Sequence, residues 1–140
     1  MSVSPAKGIK DIIAAAALAE LNGFTLFVSV LAESTAPAIA FLDQPGSPPE
    51  TIVGLDYPSV QVLARGTTSS ASYEATRAAI DAIYRHLHLL NPATQVQYTE
   101  LVSCLASTGI APLGNDDKNR PRFSGNFRLI TQPADPGNRM

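Results

Sequence analysis

The order in which hydrophobic periodicities succeed one another most constrains this chain: a helical stretch, three strand-like runs, a second helical stretch and two further strands. From Ile9 to Leu21 the larger apolar residues Ile9, Ile12, Ile13 and Leu21 fall near one helical stripe with alanines filling the turns, and Asn22 and Gly23 form a stop signal. Phe24 to Leu31 reads as a strand, with Phe24, Leu26, Val28 and Val30 on one face and Phe27 and Leu31 on the other. Ala38 to Leu42 makes a second short strand, and Ser59 to Arg65 a third, with Val60, Val62 and Ala64 on one face. After a polar break rich in Ser and Thr, from which one serine is expected to cap the next helix, helical spacing returns from about Tyr73 to Leu90. Its apolar face is Ile80, Ile83, Tyr84 and Leu87, its solvated side carries Arg77, Asp81 and Arg85, and Asn91 and Pro92 end it. Strands at Val96 to Ser107 and Arg122 to Thr131 complete an α-β-β-β-α-β-β order. That order predicts an α+β fold: a five-strand, mainly antiparallel or mixed sheet with two helices on one face.

Two breaks are long. Gln44 to Gly54 contains Pro45, Gly46, Pro48, Pro49 and Gly54, a density that opposes regular structure and predicts a long connection between antiparallel strands. Gly109 to Pro121, with Gly114, Asn115, Asp116, Asp117, Lys118 and Asn119, reads as the turn joining the last two strands. Residues 1–131 are thus expected to form a single domain, and 132–140, with Pro133, Pro136 and Gly137 and no apolar pattern, an extended C-terminal arm.

At 140 residues the chain has room for one core and not for a second full domain. A single cysteine, Cys104, allows no intrachain disulfide. The most apolar stretch, Ile12 to Ala19, is too short to span a bilayer, which takes about 20 residues. Lys7 and Lys10 before that run give it some likeness to a secretory signal, but Asp11 and the run of alanines fit an amphipathic first helix better, so no membrane partner is expected and synthesis is cytoplasmic. Charged residues are only 16% of the chain, where about 25% is usual. A surface so poor in charge suits contact with other protein, and a net charge of −2 gives no basic field for holding nucleic acid.

Catalytic and metal-binding patterns are weak. His86 and His88, two positions apart on a helix, point about 200° from one another and cannot grip one ion together. One is expected to be partly packed and the other solvated. Cys104 sits in a strand beside Val102 and Ala106, the setting of a buried, inert thiol. Asp116 and Asp117 read as turn formers rather than cation ligands, since the calcium-loop pattern is missing. No catalytic, cofactor-binding or metal-binding residue is assigned, no cofactor is expected, and an enzymatic or ligand-binding α+β domain using Asp116, Asp117 and a histidine is the weaker alternative.

Surface pattern is more informative. Phe27, Leu31, Leu63 and Val102 are expected on the sheet face away from the helices. Charge is segregated: residues 1 to 60 hold two basic and six acidic groups, whereas 118 to 128 hold Lys118, Arg120, Arg122 and Arg128 with no acid. A basic edge on one copy can therefore meet an acidic edge on another, with Arg120, Arg122 and Arg128 facing carboxylates such as Asp43, Glu50 or Asp56. Arg122 and Arg128, six apart, share a strand face. Together with Pro45, Gly46, Pro48 and Pro49 of the long connection, these residues form the expected interface with a neighbouring subunit or another protein.

From about Ile9 to Ile130 the chain resembles the small minor capsid or tail terminator proteins of long-tailed bacteriophages. The residues that carry the likeness are the Asp-x-x-Gly-x-Pro-Pro pattern of Asp43 to Pro49, Tyr57-Pro58-Ser59-Val60-Gln61-Val62 followed by Arg65-Gly66, Ile83-Tyr84 with Leu87-His88, and Phe123-Ser124 with Asn126-Phe127. The alanine-rich first helix and the Pro- and Gly-containing tail depart from it. The resemblance implies a structural virion protein of the neck: a homo-oligomeric ring, commonly hexameric, that ends the tail tube and offers a surface to a head-side connector or stopper protein. DNA would pass through the lumen without specific binding. A head-closure protein, another neck ring, is the near alternative.

Overall fold

A computed structural model describes residues 4–29, 37–50, 55–69, 71–88 and 101–132. Two helices and six strands follow in the order α1 (Pro5–Ala16), β1 (Thr25–Val28), β2 (Ala38–Glu50), β3 (Leu55–Arg65), α2 (Ser72–Leu87), β4 (Leu101–Ala106), β5 (Ala111–Asn115) and β6 (Pro121–Thr131), with a short 3-10 turn at Ala19–Leu21. The expected strand residues Val30 and Leu31, the stretch 96–100, the Asn91-Pro92 stop and the arm beyond Gln132 lie outside the described residues.

Helix α1 starts earlier than its apolar stripe suggests because its start is written in polar residues. Ser4 Oγ accepts the Lys7 N–H at 3.2 Å, and Pro5 occupies the first turn, where its missing N–H costs nothing. The helix stops at Ala16, since Ala17 adopts a left-handed conformation (φ 49°). Leu21 therefore belongs to the 3-10 turn. Ala6, Ile9, Ile12 and Ile13 form the buried face, and Lys7 pairs with Asp11 one turn on at 2.9 Å.

The sheet runs β1-β2-β3-β6-β4, with β5 also paired to β6. Only β1 is parallel to its neighbour. Register places Ile39, Phe41, Val60, Val62, Ala64, Phe123, Phe127, Leu129 and Cys104 on one face, and all of them are buried against Ile9, Ile12 and Ile13 of α1 and Ile80, Ile83 and Leu87 of α2. Both helices thus cover the same face of a mixed sheet, as the α+β reading holds. The additional strand has a simple origin: β4 and β5 lie successively along one side of β6, antiparallel to it, interrupted at 107–110. They are two pieces of one sheet edge, the second of which falls in the segment read as a turn.

The segment from Gln44 corrects a second expectation. It is no irregular loop: β2 continues to Glu50 opposite Leu55, making a long hairpin with β3. The register slips between Gln44 and Ser47 and again between Ser47 and Glu50. Each slip takes up one pair of breakers, Pro45-Gly46 and then Pro48-Pro49, as bulges do. Pairing with β1 ends at Phe41, so past that point no described strand needs the N–H groups on the outer edge of β2.

Helix α2 also starts differently from its expectation. Ala71 occupies the cap position without a side-chain bond, while the serines tie the preceding turn: Ser72 Oγ accepts the Thr67 N–H at 2.6 Å and Ser69 Oγ accepts the Ala71 N–H at 3.3 Å. Gly66 lies beneath this turn, donating its N–H to Pro121 O at 2.9 Å. On the solvated side Asp81 pairs with Arg85, and Arg77 lies over the Phe123 ring at 5.9 Å.

Candidate functional interface

The groups that could carry chemistry are placed in structural positions. Cys104 is fully buried, and burial pushes its thiol up to about 12 from 9.0, so no thiolate forms near neutrality. His86 is half-buried and His88 exposed, and they do not converge. His88 Nδ1 accepts the Ala106 N–H at 3.1 Å, and its ring stacks on Tyr84 with centroids 6.0 Å apart, tying the end of α2 to β4. No group of three His, Cys, Asp or Glu residues suited to a metal occurs among the described residues. No helix among them is long and apolar enough to cross a membrane.

Asp116 organises the turn between β5 and β6. Its Oδ1 accepts the Lys118 and Arg120 N–H groups, both at 2.9 Å, and its Oδ2 meets Arg120 Nε and Nη2, both at 2.8 Å. Desolvation in the turn raises the carboxyl, but these donors together outweigh it and hold it at about 2 rather than 3.8. Asp116 is accordingly a turn former whose lone pairs are engaged.

The ten expected interface residues separate into four settings. Asp43, on the helix side of β2, accepts the Ala6 N–H at 2.8 Å and sits at the positive end of α1. Pro45, Gly46, Pro48, Pro49 and Glu50 belong to the outer half of the hairpin, their side chains outside the described set, and Asp56, at the start of β3 in that same outer half, lies across from Thr131 of β6. Arg120 is folded onto Asp116 and only 6% exposed. Arg122 and Arg128 share the face away from the helices, as their spacing indicates, but in different circumstances. Arg122 donates to the Leu113 and Gly114 carbonyls at 3.3 and 3.5 Å. Arg128 is exposed beside Leu105 and has no ion pair among the described residues.

That second sheet face has no helix on it among the described residues. Across its centre, register aligns Phe27, Ala40, Leu63 and Ser124, of which Ala40 and Ser124 are buried, and the next row is mixed, with Leu42, Gln61 and Asn126. Phe27 and Leu63 therefore share the expected face, while Val102 sits at the register slip of β4. Exposed apolar bulk collects at the β4–β5 edge instead, where Val102, Leu105 and Leu113 are 48%, 38% and 42% exposed. Leu105 was legible from its alternation with Cys104. Leu113 was not, because Pro112 and Gly114 hide its strand.

A mixed sheet with both helices on one face and an apolar outer edge defines an α+β protein whose exposed apolar strand residues lie along β4 and β5. The model of the bacteriophage tail terminator protein family matches residues 11–133. That match covers most of the chain, and the chain belongs to this family, whose role in the phage tail is structural. No curated protein matches the sequence.

Proposed function

We propose that copies of this chain form a closed ring at the end of the completed tail tube, at the neck of the virion, and present the opposite side of the ring to a head-side connector or stopper protein. Family membership over residues 11–133 is the observation that carries this reading. Ring closure requires one patch to meet a different patch on the next copy, and the two sides of the sheet differ in the way such a contact needs. Six copies is the stoichiometry implied by the resemblance. In this reading the hairpin residues Pro45, Gly46, Pro48, Pro49 and Glu50, with Asp56, Arg122 and Arg128, contact a neighbour or the tube, while Asp43 and Arg120 hold α1 and the β5–β6 turn in place for them.

DNA passes through the lumen unbound. The engagement of Arg120 with Asp116 and of Arg122 with β5 carbonyls supports this, because guanidinium groups held that way are poorly placed to grip phosphates. A head-closure ring is a related possibility that the tail terminator family disfavours. The test is electron microscopy of tails assembled with and without the gene for this chain. Tails of uniform length carrying a ring of these copies at one end are expected from the complete phage, and tails that overrun and fail to join heads from the deletion. Normal tails and infectious particles in its absence would sink the proposal.

A further inference from the structure

A cavity of about 500 Å³ opens where the end of α1, the 3-10 turn and β1 meet, lined mainly by Ile13, Leu18, Leu21, Phe24 and Leu26 with small alanines between them. It lies at the β1 side of the sheet, and the exposed Val102, Leu105 and Leu113 lie at the opposite, β4–β5 side. Each side also carries an uncommitted charge. Glu20 is exposed in the same turn as Leu18 and Leu21 and has no ion pair or side-chain hydrogen bond among the described residues, and Arg85, which shares a small cleft with it, is paired with Asp81. Arg128 is the exposed cation beside Leu105.

We infer that the occupant of this groove is a second copy of the chain: Leu105 and its apolar neighbours enter the groove of the next subunit, and Arg128 of the first pairs with Glu20 of the second. Knob and cation lie at one edge of the sheet, and groove and carboxylate at the other, so the contact is heterologous and each copy retains one unused half for a further neighbour. Such a contact closes into a ring when the rotation between copies permits. Leu105 and Arg128 project from the face away from the helices, whereas the groove opens on the helix side. Neighbours therefore overlap at their edges like tiles, rather than meeting strand to strand. The edge itself agrees: the Ala106 N–H is already taken by His88, and Pro112 has no N–H to give. Apolar filling supplies the attraction, and the ion pair, a poor source of net energy, fixes register and excludes the wrong partner.

This inference rests on the ring reading and is tested apart from it by charge exchange in the full-length protein. Arg128→Glu, Glu20→Lys, the double variant, and Arg128→Glu with Glu74→Lys as a control are compared, all at exposed positions, with thermal melts to confirm folding. Assembly is read as rings per tail by electron microscopy and as infectious yield by complementation. Each single change should lower both by about tenfold or more, since it sets like charges against one another. The double variant should recover, and the control should not. Leu105→Cys mixed with Leu21→Cys should form a disulfide-linked pair on assembled tails, while neither does so alone, Cys104 being buried. Rings that form normally with Arg128→Glu, or a double variant that fails to recover, would overturn this interface and leave the ring standing. Wild-type tails without rings would instead remove the ring reading, and this inference with it.

Discussion

Gly66→Ala isolates a close approach that the sequence marks only as the second residue of Arg65-Gly66. Gly66 is outside the left-handed region, so an alanine can adopt its backbone conformation. The obstacle is steric: a Cβ there would fall well inside contact with Ser72 Oγ and Thr76 Oγ1, and 3.1 Å from Pro121 Cγ. Thr76 is fully buried and Ser72 nearly so, and Ser72 Oγ already accepts the Thr67 N–H, so neither hydroxyl can swing away freely. Overpacking of this kind costs about 1–3 kcal/mol, and displacing the Ser72 bond adds about 1 kcal/mol. The stiffer unfolded chain returns about 0.4–1 kcal/mol. A net loss of about 2–3 kcal/mol lowers Tm by roughly 6–10 °C in a domain of this length. Urea titration and thermal melts measure it, with Gly125→Ala as the matched control, because a Cβ at Gly125 meets only Phe127 Cε1 at an ordinary 3.8 Å. Combining Gly66→Ala with Ser72→Ala and Thr76→Ala should cost less than the separate changes added together. A Gly66→Ala protein as stable as the control, or a full cost that survives removal of both hydroxyls, refutes the steric argument.

Other expectations follow from the same packing. Asp116 titrates in the folded protein at about 2 against an ordinary 3.8; a depressed carboxyl contributes stability that is complete above its unfolded value and lost as pH falls through the folded one, so wild type should lose more stability than Asp116→Asn between pH 4 and 2, and parallel profiles would exclude this group as the cause. Asp43→Ala removes the acceptor for the Ala6 N–H and should destabilise the fold by about 1 kcal/mol, with Asp43→Asn recovering much of it in the same denaturant titration. Cys104 should resist a thiol reagent at pH 8 until the protein is unfolded, and rapid modification of the native chain would show that β4 opens.

What the sequence discloses and what it conceals have separate physical causes. Alternation in β3 and β6 is legible because one face is buried against helices and a one-residue slip would expose Val60, Val62, Phe123 and Phe127 together. The helical stripes of Ile9, Ile12, Ile13 and of Ile80, Ile83, Leu87 are legible for the same reason. Proline and glycine mislead at strand edges. In the outer part of β2 and in β5 they look like breakers, yet a strand with one free side can carry a residue that donates no N–H there, and bulges absorb the change in register. Local periodicity carries no information on which edge has a neighbour. Helix boundaries escape it too, since α1 begins at a Ser-Pro cap and ends at a left-handed alanine, both outside its apolar stripe.

The arginines show how far charge counting reaches. A balance of four cations without an acid over residues 118 to 128, against an acidic first half, suggests two opposed patches. Folding brings acceptors to those cations from places the count ignores: Asp116 lies just before the counted window, and the carbonyls of Leu113 and Gly114 carry no formal charge at all. On the acidic side, Asp11 is taken by Lys7 and Asp43 by the start of α1. Glu20 and Arg128 are among the described charges left without such a partner, and they lie on opposite sides of the sheet. In the proposed ring a low-charge surface makes such groups consequential, because one cation beside exposed apolar residues would set register between copies, whereas a densely charged edge would offer many competing pairings.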